Sequence, residues 1–363
     1  MANLEKWTFI GKTQDLIQEL TSNGGLKEIA FDGKKIVLTY FEKQFGALNN
    51  KCNHIGGPLA KGRLKKGCVV CPWHYWEFDH KTGESMSAEA SKHFTSTAGR
   101  VPNFPLKIEN DSLYIDLMGE SQRQPAVYNM KGRLGREPQR EPGRIRVLGL
   151  STTAMDKNNP RFSTSEALLK SALDQAATKL DVETKFIALS DLNFRHCEGF
   201  YSKSERACTW PCSITKMDPS DEMSVIYENL VYWADVVIVA SPIRWGGASS
   251  LYYKMAERLN SVQNQITVKN KALIQNKVVS LIITGGQDNV QSVAGQMLTF
   301  FGELGFSTPA FPFVAHSRGW TAEDMEANMD AVKNSEHLHS EAFSLIERSV
   351  QLSRQLVAGP SKT

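Results

Sequence analysis

Four residues in two short stretches carry the side chains of a metal site. Cys52 and His54 stand in "CNHIGGPLAKG", and Cys71 and His74 in "CPWHYWEFDHKTGE". Cysteine thiolate and neutral imidazole together suit zinc or iron, and C-x-H with C-x-x-H supplies four ligands, enough for a closed tetrahedral zinc site. A second set of polar residues suits an anion. "STTAMDKNNPRFSTSEALLKSAL" is a hydroxyl-rich loop leading into a helix, and a helix N-terminus presents unpaired backbone N–H groups and a positive dipole end. Ser163, Thr164 and Ser165 equally suit the cap of that helix. The chain has no G-x-x-x-x-G-K-[ST], so a nucleotide-hydrolysing P-loop is excluded.

The elements that position these residues fall into two groups. Over residues 1–118 the runs "KKIVLTYF", "QFGALNN", "GCVVCPWH", "WEFD" and "SLYIDL" are short, strand-like and separated by Gly, Asn and Asp turns. They predict a small, all-β antiparallel sandwich. Residues 119–143 mix Gly, Pro, Gln and Arg without apolar periodicity and read as a solvated linker. Over residues 144–363 the apolar runs "RIRVLGLS", "ETKFIALS", "DVVIVAS", "KVVSLIIT" and "AFPFVAHS" alternate with helical patterns. Runs without polar alternation are those of parallel strands buried on both faces, so a doubly wound α/β sheet is expected. Near the end, Thr321 followed by Asp324 fits a helix start.

A length of 363 residues suggests two domains, and 41% hydrophobic with 22% charged residues is ordinary globular composition. A formal charge of +3 is too small for a nucleic-acid surface. The N-terminus has no basic start followed by an apolar run, and no run is long enough to cross a bilayer. The expectation is a cytoplasmic protein without membrane insertion, whose six cysteines act as ligands or thiols rather than as disulfides.

The two Cys–His loops resemble the cluster loops of Rieske-type ferredoxin domains. The resemblance covers about the first 118 residues. It implies a [2Fe–2S] cluster with Cys52 and Cys71 on one iron and His54 and His74 on the other. Gly56, Gly57 and Pro72 fit the same pattern. High-potential members have an additional cysteine in each loop, where this chain has Gly57 and Trp73, and offer a serine and a tyrosine hydroxyl to the cluster, where it has Trp76 and Phe78. Without those hydrogen bonds the potential is expected toward the low end of about −150 to +300 mV. Tyr75 stands where a glycine is usual. His80 and His93 lie outside both loops and are expected at the surface, and Cys68 is expected as a small buried apolar residue.

The second half contains "DVVIVASPIRWGGASSLYYKMAERLN". Here the chain resembles the flavodoxin-like NAD(P)H-dependent FMN reductases and their iron–sulfur flavoprotein relatives, over about residues 144–330. The resemblance implies FMN at the carboxyl ends of the strands. Ser151, Thr152, Thr153, Ser163, Thr164 and Ser165 would meet the phosphate. Pro242, Ile243, Arg244, Trp245 and Gly246, with Gly285, Gly286, Gln287 and Asp288, would meet the ring. Arg244 replaces the usual aromatic residue. The iron–sulfur flavoproteins add a four-cysteine motif. Only Cys197, Cys208 and Cys212 stand in that region, with Phe200 where another cysteine would be wanted, so these three are left outside the metal assignment.

A flavin takes two electrons at once and releases them singly, and a Rieske cluster carries one. The expected function is a flavo-iron–sulfur oxidoreductase that passes electrons from NAD(P)H through FMN and the cluster to a partner protein or a small acceptor. Reverse flow to a quinone or other small acceptor, or a non-enzymatic carrier or redox sensor, are the alternatives. No separate G-x-G-x-x-G dinucleotide fingerprint is present. The family resemblance implies a homo-oligomer.

Overall fold

A computed structural model describes residues 6–86, 98–128, 133–156, 158–218, 220–285, 289–319 and 321–358. The chain divides into two compact units. One comprises residues 1–130 with 199–209 and 213–219, the other residues 131–198 with 210–212 and 220–363.

The first unit is built from β1 (Thr8–Lys12), β2 (Leu26–Phe31), β3 (Lys34–Phe41), β4 (Gln44–Asn49), β5 (Arg63–Lys65), β6 (Cys68–Val70), β7 (Glu77–Asp79), β8 (Leu106–Glu109) and β9 (Ser112–Ile115). They form three-stranded sheets in the orders β1-β9-β8, β2-β3-β4 and β5-β6-β7, and every pairing is antiparallel. Four hairpins close with two-residue turns whose central residues both have positive φ: Asp32-Gly33, Glu42-Lys43, Lys66-Gly67 and Asn110-Asp111. That geometry matches the right-handed twist of the flanking strands. The core is Leu16, Leu20, Ile36, Leu38, Ala47, Phe104, Leu113 and Ile115. Leu16 and Leu20 come from helix α1 (Thr13–Ser22), which the sequence reading does not anticipate. The i, i+4 spacing of these two leucines is its only strong signal.

Residues 121–124, from the stretch read as linker, pack on this unit. Ser121 N–H donates to Asn103 O at 2.9 Å, Arg100 and Gln124 exchange backbone hydrogen bonds, and Asn53 donates to Gln124 O at 2.8 Å. Residues 133–140 are fixed to the second unit, with Arg140 on Asp235 at 2.8 Å and Arg133 on Glu228.

The second unit holds β10 (Ile145–Ser151), β11 (Val182–Ala188), β12 (Val236–Pro242), β13 (Val278–Gly285) and β14 (Phe313–Ser317). Their order is β11-β10-β12-β13-β14, all parallel, which is the flavodoxin-like arrangement with its switch point between β10 and β12. The long helices are α2 (Thr164–Lys179), α3 (Ser250–Lys269), α4 (Val290–Glu303), α5 (Ala322–Asn334) and α6 (Glu336–Ala358). Apolar residues of α2 and α6 pack with Val147, Val236, Ile238 and Ile282 of the sheet. The start of α5 is a capping box. Thr321 Oγ1 accepts from Asp324 N–H at 3.1 Å, and the Asp324 carboxylate accepts from Thr321 N–H at 3.3 Å, as the sequence predicts.

Candidate functional site

The two Cys–His loops are built alike. Cys52 N–H donates to Gly57 O at 2.9 Å and Cys52 O accepts from Gly56 N–H at 3.0 Å; Cys71 N–H donates to Trp76 O at 2.8 Å and Cys71 O accepts from Tyr75 N–H at 3.1 Å. Gly56 and Tyr75 occupy equivalent turns with φ of 86° and 61°, which explains the usual glycine at the second. Tyr75 is held there by Lys203, whose ammonium donates to its hydroxyl at 2.6 Å and lies 3.9 Å from its ring centroid. The loops meet closely, since a Cβ added at Gly57 would stand 2.9 Å from Cys71 Sγ.

Where they meet, like pairs with like. The Cys52 and Cys71 thiols stand side by side, each shifting the other's titration, and His54 Nδ1 lies 3.1 Å from His74 Nδ1. The two thiols move apart: the contact with Cys52, against burial and helped by the N–H groups of Trp73 and His74, pulls Cys71 down, while the contact with Cys71 and burial push Cys52 up. Burial, followed by the charges of His74 and Lys216, pushes His54 down to about 2. Burial outweighs the bond to Ala207 and, with Lys203 and Lys216, pushes His74 down to about 4. Both imidazoles are therefore neutral, the ligating form. His74 Nε2 lies 2.7 Å from Ala207 O. A carbonyl only accepts, so Nε2 carries the proton and Nδ1 turns its lone pair into the pocket. Phe200 packs edge-on against His74 with ring centroids 4.7 Å apart.

The donor set fits a two-iron cluster better than one zinc ion. Among the described residues no group of three or more His, Cys, Asp or Glu side chains converges on a single ion position. A thiol pair beside an imidazole pair suits two metals with two ligands each. His80 is buried rather than at the surface, with Nδ1 3.0 Å from Thr39 Oγ1. Cys68 is only partly buried, and among the described residues no two cysteines form a disulfide. His93 lies outside the described residues.

In the second unit a cleft of about 490 Å³ opens beyond the carboxyl ends of β10, β12 and β13. Thr153, Ser163, Thr164, Pro242, Ile243, Arg244, Trp245 and Gly285 line it. Ser151 and Thr152 turn elsewhere. Ser151 Oγ donates to Glu166 at 2.8 Å, and Thr152 Oγ1 accepts from Ser249 Oγ at 3.0 Å. Ser165 is fully buried. Ser163 both caps α2 and shares a 2.8 Å bond with Thr153. Arg244 to Gly247 form a tight turn, with φ of 49° at Trp245 and 70° at Gly246. Trp245 is 96% exposed. Burial and nearby Arg161 push the Arg244 guanidinium down. Gly286, Gln287 and Asp288 lie outside the described residues. Asn328, which sequence reading missed, lines the cleft with a buried, unpartnered Oδ1. Hydroxyls at a helix start, an orphaned amide oxygen and apolar walls fit a phosphate ester carrying a flat ring.

Residues 6–105 match the Rieske [2Fe-2S] domain family and residues 146–321 the NADPH-dependent FMN reductase family. The chain joins a Rieske domain to an FMN reductase domain. The first family is that of a [2Fe–2S] cluster domain and the second that of an FMN enzyme, which supports these two cofactors for the two domains. The Rieske part is 36% identical over 95 residues to "Apoptosis-inducing factor 3" of Homo sapiens, covering 26% of this chain but only 14% of that protein. It is 27% identical over 112 residues to the "Naphthalene 1,2-dioxygenase system, ferredoxin component" of Pseudomonas putida, covering 31% of this chain and 96% of that protein. The FMN reductase domain is 24% identical over 172 residues to "8-demethyl-8-aminoriboflavin-5'-phosphate synthase" of Streptomyces davaonensis, covering 46% of this chain and 60% of that protein. Among the described residues no helix is long and apolar enough to cross a membrane.

Proposed function

We propose that this chain is a flavo-iron–sulfur oxidoreductase that couples NAD(P)H, a two-electron donor, to a one-electron acceptor outside the chain. The cleft would hold FMN, which would supply hydride acceptance and single-electron release, and the Cys–His loops would hold a cluster supplying one-electron transfer. Cys52, His54, Cys71 and His74 hold the cluster in a functional domain spanning 1–118, and the cleft belongs to a second spanning 144–363, of which residues 199–209 and 213–219 return to the first unit. The observation that carries the reading is the pairing of thiol with thiol and Nδ1 with Nδ1 at 3.1 Å.

The residues prepare each site before a cofactor binds. Ala207 O fixes the His74 tautomer, and burial keeps both imidazoles neutral. In the cleft, Thr153, Ser163 and Thr164 at the start of α2 offer hydroxyl donors to the FMN phosphate, while the turn Pro242–Gly246 with Gly285 supports the ring. Ser151 through Glu166, and Thr152 through Ser249, brace the loop from behind. The acceptor is a redox partner protein, as the name of the dioxygenase-system relative suggests, or a small molecule, and the working form is a homo-oligomer.

Replacing His74 by Ala tests the reading. The variant loses the Rieske EPR signal and cluster iron but keeps its FMN. An unchanged signal and iron content would contradict the ligand set. The similarity to the Streptomyces synthase carries a second reading, in which the cleft takes a flavin 5'-phosphate as substrate. Mass spectrometry of the flavin after turnover separates the two, since only the second yields an altered flavin.

A further inference from the structure

Three polar atoms around the Cys–His pocket are buried and have no partner among the described residues: His54 Nε2, Trp76 Nε1 and Tyr128 Oη. Their rings form one group. The Tyr128 centroid lies 5.7 Å from that of His54 and 6.3 Å from that of Trp76, and His54 and Trp76 are 6.1 Å apart. Lys216 Nζ stands 5.6 Å from the Tyr128 centroid on the same ring. A tyrosine hydroxyl carries its proton at neutral pH. With Nδ1 of His54 on a metal, its Nε2 lies across the ring and turns away from that metal, which leaves the Trp76 indole N–H and the Tyr128 hydroxyl as the donors beside the ligand. A buried donor left unpaired forfeits the hydrogen bond it makes in water. A group of donors with no acceptor marks the place of an acceptor-rich ligand, and cluster sulfur atoms are such acceptors.

We infer that Tyr128 donates a hydrogen bond to sulfur on the Cys52 side of the cluster and raises its reduction potential, with Trp76 as a second donor. The inference rests on the ligand set proposed above. A donor stabilises the reduced cluster, which bears one more negative charge, more than the oxidised one. Tyr128 thus supplies, from outside the cluster loops, a hydroxyl donor of the kind those loops lack where Trp76 and Phe78 replace hydroxyl residues. It lies beyond the matched Rieske segment of 6–105, and this revises the expectation of a potential at the low end.

The test is Tyr128→Phe in the full chain, with dithionite and mediators supplying the electron. The Rieske EPR spectrum persists, and the equilibrium for reduction falls about tenfold, a shift of ~59 mV for one electron. A persistent spectrum with an unchanged potential overturns the inference while leaving the ligand set intact. No Rieske spectrum in the wild-type protein overturns the ligand set itself. Should the variant fail to assemble a cluster, 3-fluorotyrosine in place of Tyr128, which keeps the ring and makes the hydroxyl a stronger donor, decides the matter. A raised potential supports the bond, and an unchanged potential overturns it.

Discussion

His74 shows how one hydrogen bond chooses the chemistry of a ring. Because Ala207 offers only an acceptor, the Nε2 proton is fixed and Nδ1 is left to bind metal. Thr153 plays the comparable part in the cleft, with a buried hydroxyl shared with Ser163 at the start of α2. Thr153→Ala should raise the FMN dissociation constant about tenfold, the worth of one charge-assisted hydrogen bond. Fluorescence titration of the flavin-free protein measures it, and an unaltered constant would remove Thr153 from the phosphate site. At this scale the four cluster ligands are legible because their residue types and spacing carry the chemistry. Tyr128 and Asn328 are not legible. Each is an ordinary polar residue whose meaning comes from being buried without a partner beside a site far away in sequence.

Among the elements, the strands that carry the sites were the easiest to read. The apolar runs of β10 to β14 need both faces covered, and this dictates a parallel sheet with helices on both sides. Some hairpins were legible from their turns, as with Asp32-Gly33. Glu42-Lys43 adopts the same left-handed geometry without the residues that signal it, because the paired strands enforce it. The junction of β5 and β6 sets the aim of Cys71, and Gly62 makes it possible. A Cβ at Gly62 would stand 2.0 Å from the Val70 carbonyl oxygen. Gly62→Ala must part these strands, and a loss of about 3 kcal/mol or more is expected, with lower cluster occupancy. Thermal unfolding together with iron analysis checks this, and a wild-type melting temperature would refute the packing described.

Over the whole chain, the sequence suggested a β half, a linker and an α/β half. It did not reveal that residues 199–209 and 213–219, within the α/β half, belong to the first unit. Only tertiary contacts such as Ala207 O to His74 disclose that return. The stability of the chain should also depend on pH through Lys277, whose ammonium donates to Ala234 O. Burial, against the attraction of Asp235, pushes Lys277 from 10.5 down to about 8. Between these values the unfolded chain binds more protons than the folded one, so stability rises with pH from about 8 to 10.5. The rise is at most roughly 3 kcal/mol, and less where water reaches the ammonium. Lys277→Met should remove this slope. Denaturant unfolding at pH 7.5 and pH 10 would show the variant gaining on wild type at the lower pH, and a constant difference would refute the assignment.

The coupling of a two-electron donor to a one-electron centre is tested most directly by anaerobic titration of the holoprotein with NADPH and then NADH. Flavin absorbance and the low-temperature EPR signal of the cluster are followed together. Bleaching of the flavin with the rise of a reduced Rieske signal is the expected result. If both cofactors are present and neither nucleotide reduces them, the proposed donor is wrong, and electrons enter the chain elsewhere.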